Sequence, residues 1–413
     1  MPRTAVLIAA VAIVVCVCNA QVLTGLDRID SCRDLIAHKR VGVITNHTAV
    51  NRQGRHILEV LAHMDAVKVA AVFSPEHGLT GTAEAGVLID DPNGTTVPIY
   101  SLYGQTRKPT AAMLAAVDVL VFDIQDVGAR FYTYQTTMAL AMQAAAENGK
   151  PFIVLDRPNP IGGLDVEGPI LQQPFASFIG RFPIPVRHGL TMGELARLIN
   201  DQGWLSTHLD SPLLPADPNA PNLRADLTVV AMTGWTRAMW YDETGLAFIG
   251  PSPNIPSLDT AAVYPGLCLL EGTNVSEGRG TSAPFLQFAA PWIDGPTLTA
   301  ELNGLAMPGV VFRSVEFTPT DSKHKGLPCR GARILVTDRR AIGPFWMGVE
   351  IVDTIRRMYP QQFQFRAEHF DRLCGTDAIR AALTDGVSVH EMRTRYTKDL
   401  AAYNSLRRRY LLY

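Results

Sequence analysis

The sequence predicts an α/β protein whose first part is built on a parallel sheet, and two observations support this fold class. Apolar runs of strand length alternate with helical patterns through the first half of the 413 residues. The runs are continuous in Val, Ile and Leu, which is typical of parallel strands that helices cover on both faces. A proline-dense segment, "GPSPNIPSLDTAAVYPG", then marks a change in the sequence pattern, and so a domain boundary, near residue 258.

Strands and helices alternate in the predicted order. The predicted strands of the first half are 40–46, 67–74, 118–126, 151–159 and 226–232. The predicted helices between them are 56–64, 109–117, 133–149 and 191–203. Gly149 ends the longest helix and Pro151 opens the next strand. Thr191 as N-cap, with Glu194 three residues later, predicts a capping box.

A smaller domain is predicted beyond the proline-dense segment. It contains a polar, glycine-rich loop at 271–285, a strand at 332–338 and a largely helical C-terminus. We therefore expect a Rossmann-like domain at 21–257 and an α+β auxiliary domain at 258–413.

The first 20 residues have the pattern of a secretory signal peptide. Arg3 precedes the apolar run "AVLIAAVAIVVCVC", and small residues follow before Gln21. This run is shorter than the ~20 apolar residues that span a bilayer. The pattern predicts an exported protein, periplasmic or secreted, that does not contact the membrane after cleavage. An uncleaved N-terminal anchor is the alternative interpretation.

Composition excludes several classes of function. A net charge of −2, with 37 Lys and Arg against 39 Asp and Glu, gives no basic surplus for nucleic acid. Four cysteines remain after the signal peptide, at positions 32, 268, 329 and 374. Four in a chain of this length are not a disulfide framework, although one bridge is compatible with them. They also lack the CxxC spacing of a structural zinc site.

Polar side chains follow four of the predicted strands at the point where each strand ends. Because ligands of open parallel sheets bind outside the carboxyl ends of the strands, this edge is the predicted site. The candidates there are Asn46, Glu76, His77, Asp123, Gln125, Asp126, Arg130, Tyr132, Tyr134, Asp156, Arg157 and Asn159. Any one of them alone could be a helix cap or a surface turn. Four strands that all end this way predict a polar crevice.

Motifs for cofactors are missing from this edge. The first strand is followed by "TNHTAVNRQGRH", whose single glycine does not make a dinucleotide phosphate turn. The sequence has no P-loop, G-x-S-x-G or HExxH motif. His47, His77 and Asp123 carry metal-ligating side chains, but no local spacing joins them. We therefore predict no cofactor and no metal, and a metal-dependent hydrolase is kept as an alternative.

Carboxylates with hydrogen-bonding neighbours suit acid/base chemistry on a glycoside. Glu76 leaves directly from the apolar "VAAVF", so we expect it to be partly buried, as general acids often are. Asp123 and Asp126 offer a second carboxylate.

Aromatic and basic residues complete the predicted crevice. Tyr132 and Tyr134 provide flat faces for a sugar ring, or else they pack in the core. Arg130 and Arg157 either bind a carboxylate of the substrate or pair with a neighbouring aspartate.

Several motifs between about residue 40 and the C-terminus resemble the bacterial exo-β-N-acetylmuramidase family NamZ, formerly a domain of unknown function. They include "VGVITNHTAV", "FSPEHGLTG", "VFDIQDVGARFYTY", "VLDRPNPIGG", "PIPVRHGLTMGELA", "PSPNIPS" and "EGTNVSEGRGTSAPF". The resemblance implies an exported enzyme that removes N-acetylmuramic acid from the non-reducing ends of peptidoglycan fragments, in a cleft between its two domains. Gly250 departs from the pattern, which has proline there.

The resemblance also implies roles for single residues. Glu76 occupies the position of the family's proposed catalytic glutamate in its SPEHG motif, and His77, Asp123 and Asp126 are further catalytic candidates. The loop "EGTNVSEGRG" adds substrate-binding candidates, which are Glu271, Asn274, Ser276 and Arg279.

The lactyl carboxylate of N-acetylmuramic acid is expected to meet an arginine, with Arg130, Arg157 and Arg279 as candidates. Hydrolysis, elimination and an internal attack by the N-acetyl group all stay open at this point. A non-catalytic muropeptide-binding protein is the alternative from another functional class.

Overall fold

The structure, a computed structural model, describes residues 21–81, 89–90, 96–206 and 222–413. The predicted signal peptide lies outside the described residues. The strands are β1 Arg40–Thr45, β2 Lys68–Ser74, β3 Ile89–Asp90, β4 Thr96–Val97, β5 Ile99–Ser101, β6 Val119–Asp123, β7 Phe152–Leu155, β8 Leu227–Val230, β9 Gln287–Ala290, β10 Val310–Phe317 and β11 Cys329–Val336. The helices are α1 Arg33–Ile36, α2 Ile57–Ala62, α3 Ala111–Leu114, α4 Tyr134–Glu147, α5 Met192–Asp201, α6 Leu258–Leu267, α7 Gly295–Gly304, α8 Pro344–Met358, α9 Ala367–Cys374, α10 Ala378–Thr384, α11 Val389–Arg395 and α12 Thr397–Arg407.

Six strands form one parallel sheet in the order β5-β2-β1-β6-β7-β8. Each neighbouring pair in it is parallel, and Val43 of β1 lies beside both Val72 of β2 and Val121 of β6. The predicted parallel sheet is confirmed. The carboxyl ends of the strands meet at one edge, because all six strands run in the same direction.

Apolar side chains of the central strands alternate between two cores, one on each face of the sheet. Val43 and Val121 pack against α2 and the helical turns of Leu26–Cys32. Leu120 and Phe122 pack on the other face, in the core that also contains residues of α4 and α5. This alternation, with both faces covered, explains why the strands are almost entirely apolar.

The second part of the chain contains a smaller antiparallel sheet in the order β10-β11-β9. β10 pairs with β11 from Val310 opposite Val336 to Phe317 opposite Cys329. The predicted smaller α+β domain is therefore confirmed, although sequence patterns identified only the middle strand, β11. Five helices, α8 to α12, account for the predicted helical C-terminus.

Helices α6 and α8 approach each other closely because glycines lie at their crossing. A Cβ atom on Gly266 would lie 1.8 Å from the carbonyl oxygen of Pro344, and one on Gly348 would lie 2.3 Å from the carbonyl oxygen of Gly266. The same apolar core includes α6, α8, the antiparallel sheet and one face of the parallel sheet. The two parts of the chain thus share one core.

The predicted capping box of α5 is confirmed, with Thr191 and Glu194 each bonded to the other's backbone N–H. The four cysteines in the described part of the chain are all buried and free. No helix among the described residues combines the length and the apolar character needed to cross a membrane.

Candidate active site

The stretch after β2 forms a tight turn that carries two of the predicted catalytic residues. The N–H of Gly78 donates to the carbonyl oxygen of Pro75 at 3.1 Å, which places Glu76 and His77 at the two central positions. His77 has a φ of +70°, a conformation that costs a non-glycine residue about 1–3 kcal/mol. The turn that positions these two side chains therefore contains a strained backbone conformation at His77.

Glu76 and His77 line a cavity of ≈ 270 Å³ between the two parts of the chain. The first part contributes Glu76, His77, Tyr103, Arg107, Phe131, Tyr132, Thr133, Tyr134, Phe178, Ile179, Ser252, Asn254 and Ile255. The second part contributes Tyr264, Cys268, Glu271, Arg279, Phe285, His369 and Leu373. The cavity is thus a cleft between two domains, in a position typical of ligand sites.

Glu76 is half-buried, as its apolar strand predicts. Its Oε2 accepts a hydrogen bond of 2.7 Å from the hydroxyl of Thr133. Tyr103 lies beside it, and burial followed by the hydrogen bond to Glu76 raises the pKa of the Tyr103 phenol. Among the described residues, no arginine or lysine forms an ion pair with Glu76. The carboxyl group therefore lines the cavity and has hydroxyl groups as its hydrogen-bonding neighbours.

Burial favours the uncharged form of the His77 imidazole. Burial lowers its pKa; the carboxylate of Glu76 acts in the opposite direction, and Arg279 and His47 lower it further. A neutral imidazole can donate one hydrogen bond and accept another. His77 is therefore equipped to position a substrate or water rather than to supply a positive charge.

A second carboxylate, Glu271, lies in the same cavity and is held as an anion. Arg279 donates to its Oε1 from Nε at 3.1 Å and from Nη2 at 2.6 Å. Burial acts to raise the pKa of Glu271, but the nearby His369 imidazole, whose Nε2 lies 3.6 Å from Oε2, and the charge of Arg279 outweigh it and hold the pKa below its usual value. Glu76 and Glu271 therefore have different environments: within the described part of the chain Glu76 forms no ion pair with an arginine or lysine, whereas Glu271 is bound by a guanidinium.

An aromatic cluster forms another wall of the cavity. Tyr132 contacts Tyr134 at a centroid distance of 4.9 Å and Tyr264 at 5.9 Å. Tyr264 in turn packs edge-on against Phe285 at 4.9 Å. The sequence interpretation left Tyr132 and Tyr134 between a sugar-binding and a packing role. The rings pack together and also line the cavity.

Several of the predicted residues lie elsewhere, and Asp123 is the most informative of them. The guanidinium of Arg157 binds both of its carboxylate oxygens, from Nε and, at 2.9 Å, from Nη2. Arg157 also donates to the carbonyl oxygen of Val50 from both Nη atoms at 3.1 Å. Both side chains of the pair are buried. Asp123 and Arg157 therefore neutralise each other, and neither lines the Glu76 cavity.

Asp126 also lies outside that cavity. Its Oδ1 accepts from the N–H of Gly128 at 2.7 Å, and burial raises its pKa to about 7. Gln125 donates to the carbonyl oxygens of Asp126 and Pro158, and Asn159 donates to that of Leu190. These side chains hold loops together around a separate space of only ≈ 10 Å³.

Arg130 is fully buried and is occupied by backbone acceptors. It donates to the carbonyl oxygens of Pro169 at 2.8 Å, Ile184 at 2.9 Å and Leu373 at 2.8 Å. The expectation that Arg130 meets a substrate carboxylate is corrected, because its two Nη atoms donate to backbone carbonyl groups and the residue does not line the cavity. It instead ties the end of α9, the helix that carries His369, to the first part of the chain.

Asp156 caps a helix rather than lining the crevice. Its carboxylate accepts hydrogen bonds from the Thr191 hydroxyl and the Gly193 N–H at the start of α5, each at 2.7 Å. The Tyr413 hydroxyl is a third donor, at 2.8 Å. Burial raises the pKa of Asp156 to about 6, although these hydrogen bonds act to lower it.

The remaining candidates support the site from outside it. Asn46 donates to the hydroxyl of Tyr134 at 3.1 Å and so orients one cavity residue. Asn274 bonds the backbone of Gln362 and Gln364, and the Ser276 hydroxyl accepts from Gly278. Neither Asn274 nor Ser276 lines the cavity.

Sequence reasoning missed several cavity residues. Thr133 stands between two tyrosines that were identified, so its position could have suggested it. Ser252 and Phe285 lie within quoted motifs. Arg107 and His369 come from a loop and a helix whose sequences carry no chemical pattern.

Metal-ligating side chains do not gather in the described part of the chain. No three His, Cys, Asp or Glu residues there are placed so that they could hold a metal ion. His47, one of the residues considered at the sequence level, bonds instead to the carbonyl oxygen of Gly250 at 2.9 Å.

Known proteins match both parts of the chain. The family models described as "Exo-beta-N-acetylmuramidase NamZ, N-terminal" and "Exo-beta-N-acetylmuramidase NamZ, C-terminal" match residues 41–259 and 262–413. The chain belongs to the NamZ family. The peptidoglycan beta-N-acetylmuramidase NamZ of Bacillus subtilis (strain 168) is 45% identical over 399 residues, which are 95% of this chain and 92% of that protein.

Solved structures of similar proteins have the same architecture. Two DUF1343 family proteins of Bacteroides fragilis NCTC 9343 match with TM-scores of 0.84 and 0.75, at 36% and 31% identity. Each match covers 95% of this chain and 99% of the other. The two NamZ matches also divide the cavity, since Glu76 falls in the N-terminal one and Glu271 in the C-terminal one.

Proposed function

We propose that this protein is an exo-β-N-acetylmuramidase that releases N-acetylmuramic acid from the non-reducing ends of peptidoglycan fragments. The observation that carries the proposal is Glu76, a half-buried carboxyl that pairs with no described arginine or lysine, in an interdomain cavity of a NamZ-family protein. The cavity volume of ≈ 270 Å³ suits one terminal sugar better than the middle of a polymer.

Glu76 acts as the general acid/base in this proposal. Its carboxyl group donates a proton to the glycosidic oxygen as the bond to the leaving sugar breaks, and water adds to the anomeric carbon. The hydroxyl of Thr133 holds one carboxyl oxygen, so that the other can face the bond to be broken.

Glu271 and the aromatic wall serve the transition state. A glycosidic bond breaks through a positively charged, oxocarbenium-like sugar. Arg279 and His369 keep Glu271 negatively charged, and a fixed anion in a partly dry cavity stabilises such a charge. Tyr132 and Tyr264 offer apolar ring surface to the sugar.

The test is Glu76→Gln, assayed by mass spectrometry of the products from a defined muramyl disaccharide. We expect the variant to lose about 10²–10⁴-fold in kcat, because that is the usual contribution of general acid/base catalysis. Its melting temperature should stay close to that of the wild type. Glu59→Gln is the matched control, since Glu59 is exposed on α2 and far from this chemistry.

Product masses decide between the alternatives. Free N-acetylmuramic acid indicates hydrolysis, and a product lighter by one water indicates elimination. Binding without turnover by the wild type would reject the enzymatic proposal. Near-normal turnover by Glu76→Gln would reject the role of Glu76.

Export is part of the proposal and rests on the N-terminal pattern of Arg3 followed by an apolar run. The measurement is the mass of the mature protein from its own cells. Loss of about the first 20 residues supports export with cleavage. An intact N-terminus on a membrane-bound protein would support the uncleaved anchor instead.

A further inference from the structure

The cavity is lined by two arginines in the part of the chain that the structure describes, and they differ in what they bind. Arg279 is already paired with carboxylates of the protein. It donates two hydrogen bonds to Glu271, and its Nε lies 3.4 Å from Oε1 of Glu277. Arg107 is exposed and forms no ion pair with any described carboxylate. A substrate anion entering the cavity therefore finds one guanidinium that is free to bind it.

Arg107 also packs over an aromatic ring. Its guanidinium carbon lies 4.6 Å from the ring centroid of Phe178. Phe178 sits in a closed turn in which Ser177 and Gly180 exchange backbone hydrogen bonds of 2.8 and 3.2 Å. The ring of Tyr103 lies 6.2 Å from that of Phe178. A guanidinium that lies over a ring keeps the N–H groups along its own edges available for hydrogen bonds.

We propose that Arg107 binds the lactyl carboxylate of the terminal sugar and thereby selects N-acetylmuramic acid over N-acetylglucosamine. This inference rests on the proposed function, because it takes the muramyl sugar as the substrate. The two sugars differ by the lactyl ether, whose one charged group is a carboxylate. A planar guanidinium can bind that group through two parallel N–H···O bonds.

The other arginines considered for this role are already bound to groups of the protein itself. Arg130 is occupied by three backbone carbonyl groups and Arg157 by Asp123. Arg279 has its Glu271 contact to maintain, and losing it would leave a carboxylate unpaired in the cavity. Arg107 has no ion-pair partner among the described residues, so binding a carboxylate there breaks no ion pair with them.

The experiment compares Arg107→Gln and Arg107→Lys with wild type on three chromogenic substrates. These are the β-N-acetylmuramide with a free lactyl acid, its lactyl methyl ester and the β-N-acetylglucosaminide. We expect Arg107→Gln to lose about 10- to 100-fold in kcat/KM on the free acid, chiefly through KM, because it removes a charge-assisted hydrogen-bonded pair. The loss on the two uncharged substrates should be less than about 3-fold, since neither forms that pair.

Two controls separate a carboxylate contact from a general disturbance. Arg107→Lys keeps the charge without the fork and should recover part of the loss. Arg55→Gln makes the same charge change at an exposed residue outside the cavity and should behave as wild type.

Each outcome decides a different question. Equal losses on the free acid and the methyl ester, or no loss on either, would overturn the role of Arg107. A wild-type enzyme that turns over none of the three substrates would instead overturn the proposed function, and the inference with it. A selective loss on the free acid, partly restored by lysine, supports the proposal.

Discussion

Thr133 donates a hydrogen bond of 2.7 Å from its hydroxyl to Oε2 of Glu76. The two residues are 57 positions apart, one in the turn after β2 and the other just before α4. Because Tyr134, the first residue of α4, also lines the cavity, the start of this helix orients the carboxyl group and forms part of the wall.

Thr133→Val should lower kcat about 10-fold. The substitution keeps the shape of the side chain but removes the hydrogen bond that holds one oxygen of Glu76, and a hydrogen bond of this kind contributes about 0.5–1.5 kcal/mol. Thr133→Ser retains the hydroxyl and should stay within about 3-fold of wild type. Steady-state kinetics on a chromogenic muramide measures both. A valine variant with unchanged kcat would show that this contact does not orient Glu76.

Asp123→Asn should destabilise the fold by about 3–5 kcal/mol, because it leaves Arg157 buried without its anion. Asp118→Asn is the matched control: Asp118 also pairs with an arginine, Arg40, at 2.8 Å, but both side chains are partly exposed. Its loss should cost no more than about 1 kcal/mol. Urea denaturation followed by fluorescence gives both values. If Asp123→Asn is as stable as wild type yet inactive, the catalytic role predicted from sequence applies after all.

Acid should destabilise the protein through His188. Burial, followed by the positive charges of Arg407, Arg130 and Arg237, lowers the pKa of His188 to about 3. In the unfolded chain the pKa returns to about 6.5, so between these values the unfolded state binds more protons. The contribution of His188 is complete above pH ~6.5 and decreases as the pH falls toward 3, by up to ~1.4 kcal/mol per pH unit.

His188→Asn should flatten this dependence. The Nδ1 of His188 accepts from the N–H of Leu190 at 3.2 Å, and an asparagine oxygen can replace that acceptor. Free energies of unfolding between pH 4 and 7.5 should therefore fall less steeply in the variant. Parallel curves for the two proteins would assign the acid sensitivity to carboxyl groups whose pKa is lowered in the folded protein, such as Glu271.

Gly266→Ala should disrupt the crossing of α6 and α8, because its Cβ would lie 1.8 Å from a backbone oxygen of Pro344. We expect a loss of about 3 kcal/mol, the upper end of overpacking costs, since backbone cannot move aside as a side chain does. Gly304→Ala at the end of α7 has open space around the new methyl group and should be neutral or stabilising by up to ~1 kcal/mol. Thermal denaturation compares the two variants. Equal melting temperatures would mean that the crossing can relax.

The parallel sheet could be predicted because each of its long strands carries a local signal, a continuous apolar run. β10 could not be found in this way, because buried and exposed side chains are mixed along it and it has no continuous apolar run. Its position in the sheet depends on its pairing with β11. The antiparallel sheet therefore depends on contacts between distant residues that no local pattern contains.

The same limit applies to the site. Glu76 could be predicted because a carboxylate at the exit of an apolar strand is a local feature. Asp123 has the same local feature, and only its contact with Arg157, 34 residues later, decides that it is part of an ion pair. Arg130 is likewise decided by an acceptor 243 residues away, at Leu373. Burial and partner choice are set by the assembled fold.

The shared cavity has a consequence for how members of this family could exchange parts. Glu76 and Thr133 come from one side of the boundary between the two family matches, and Glu271, Arg279 and His369 come from the other. In a chimera that joins the first part of this chain to the second part of a relative, the two sets of cavity residues would come from different proteins. Such a hybrid could keep both sheets and still lose its activity, so the two parts are expected to evolve as a single unit.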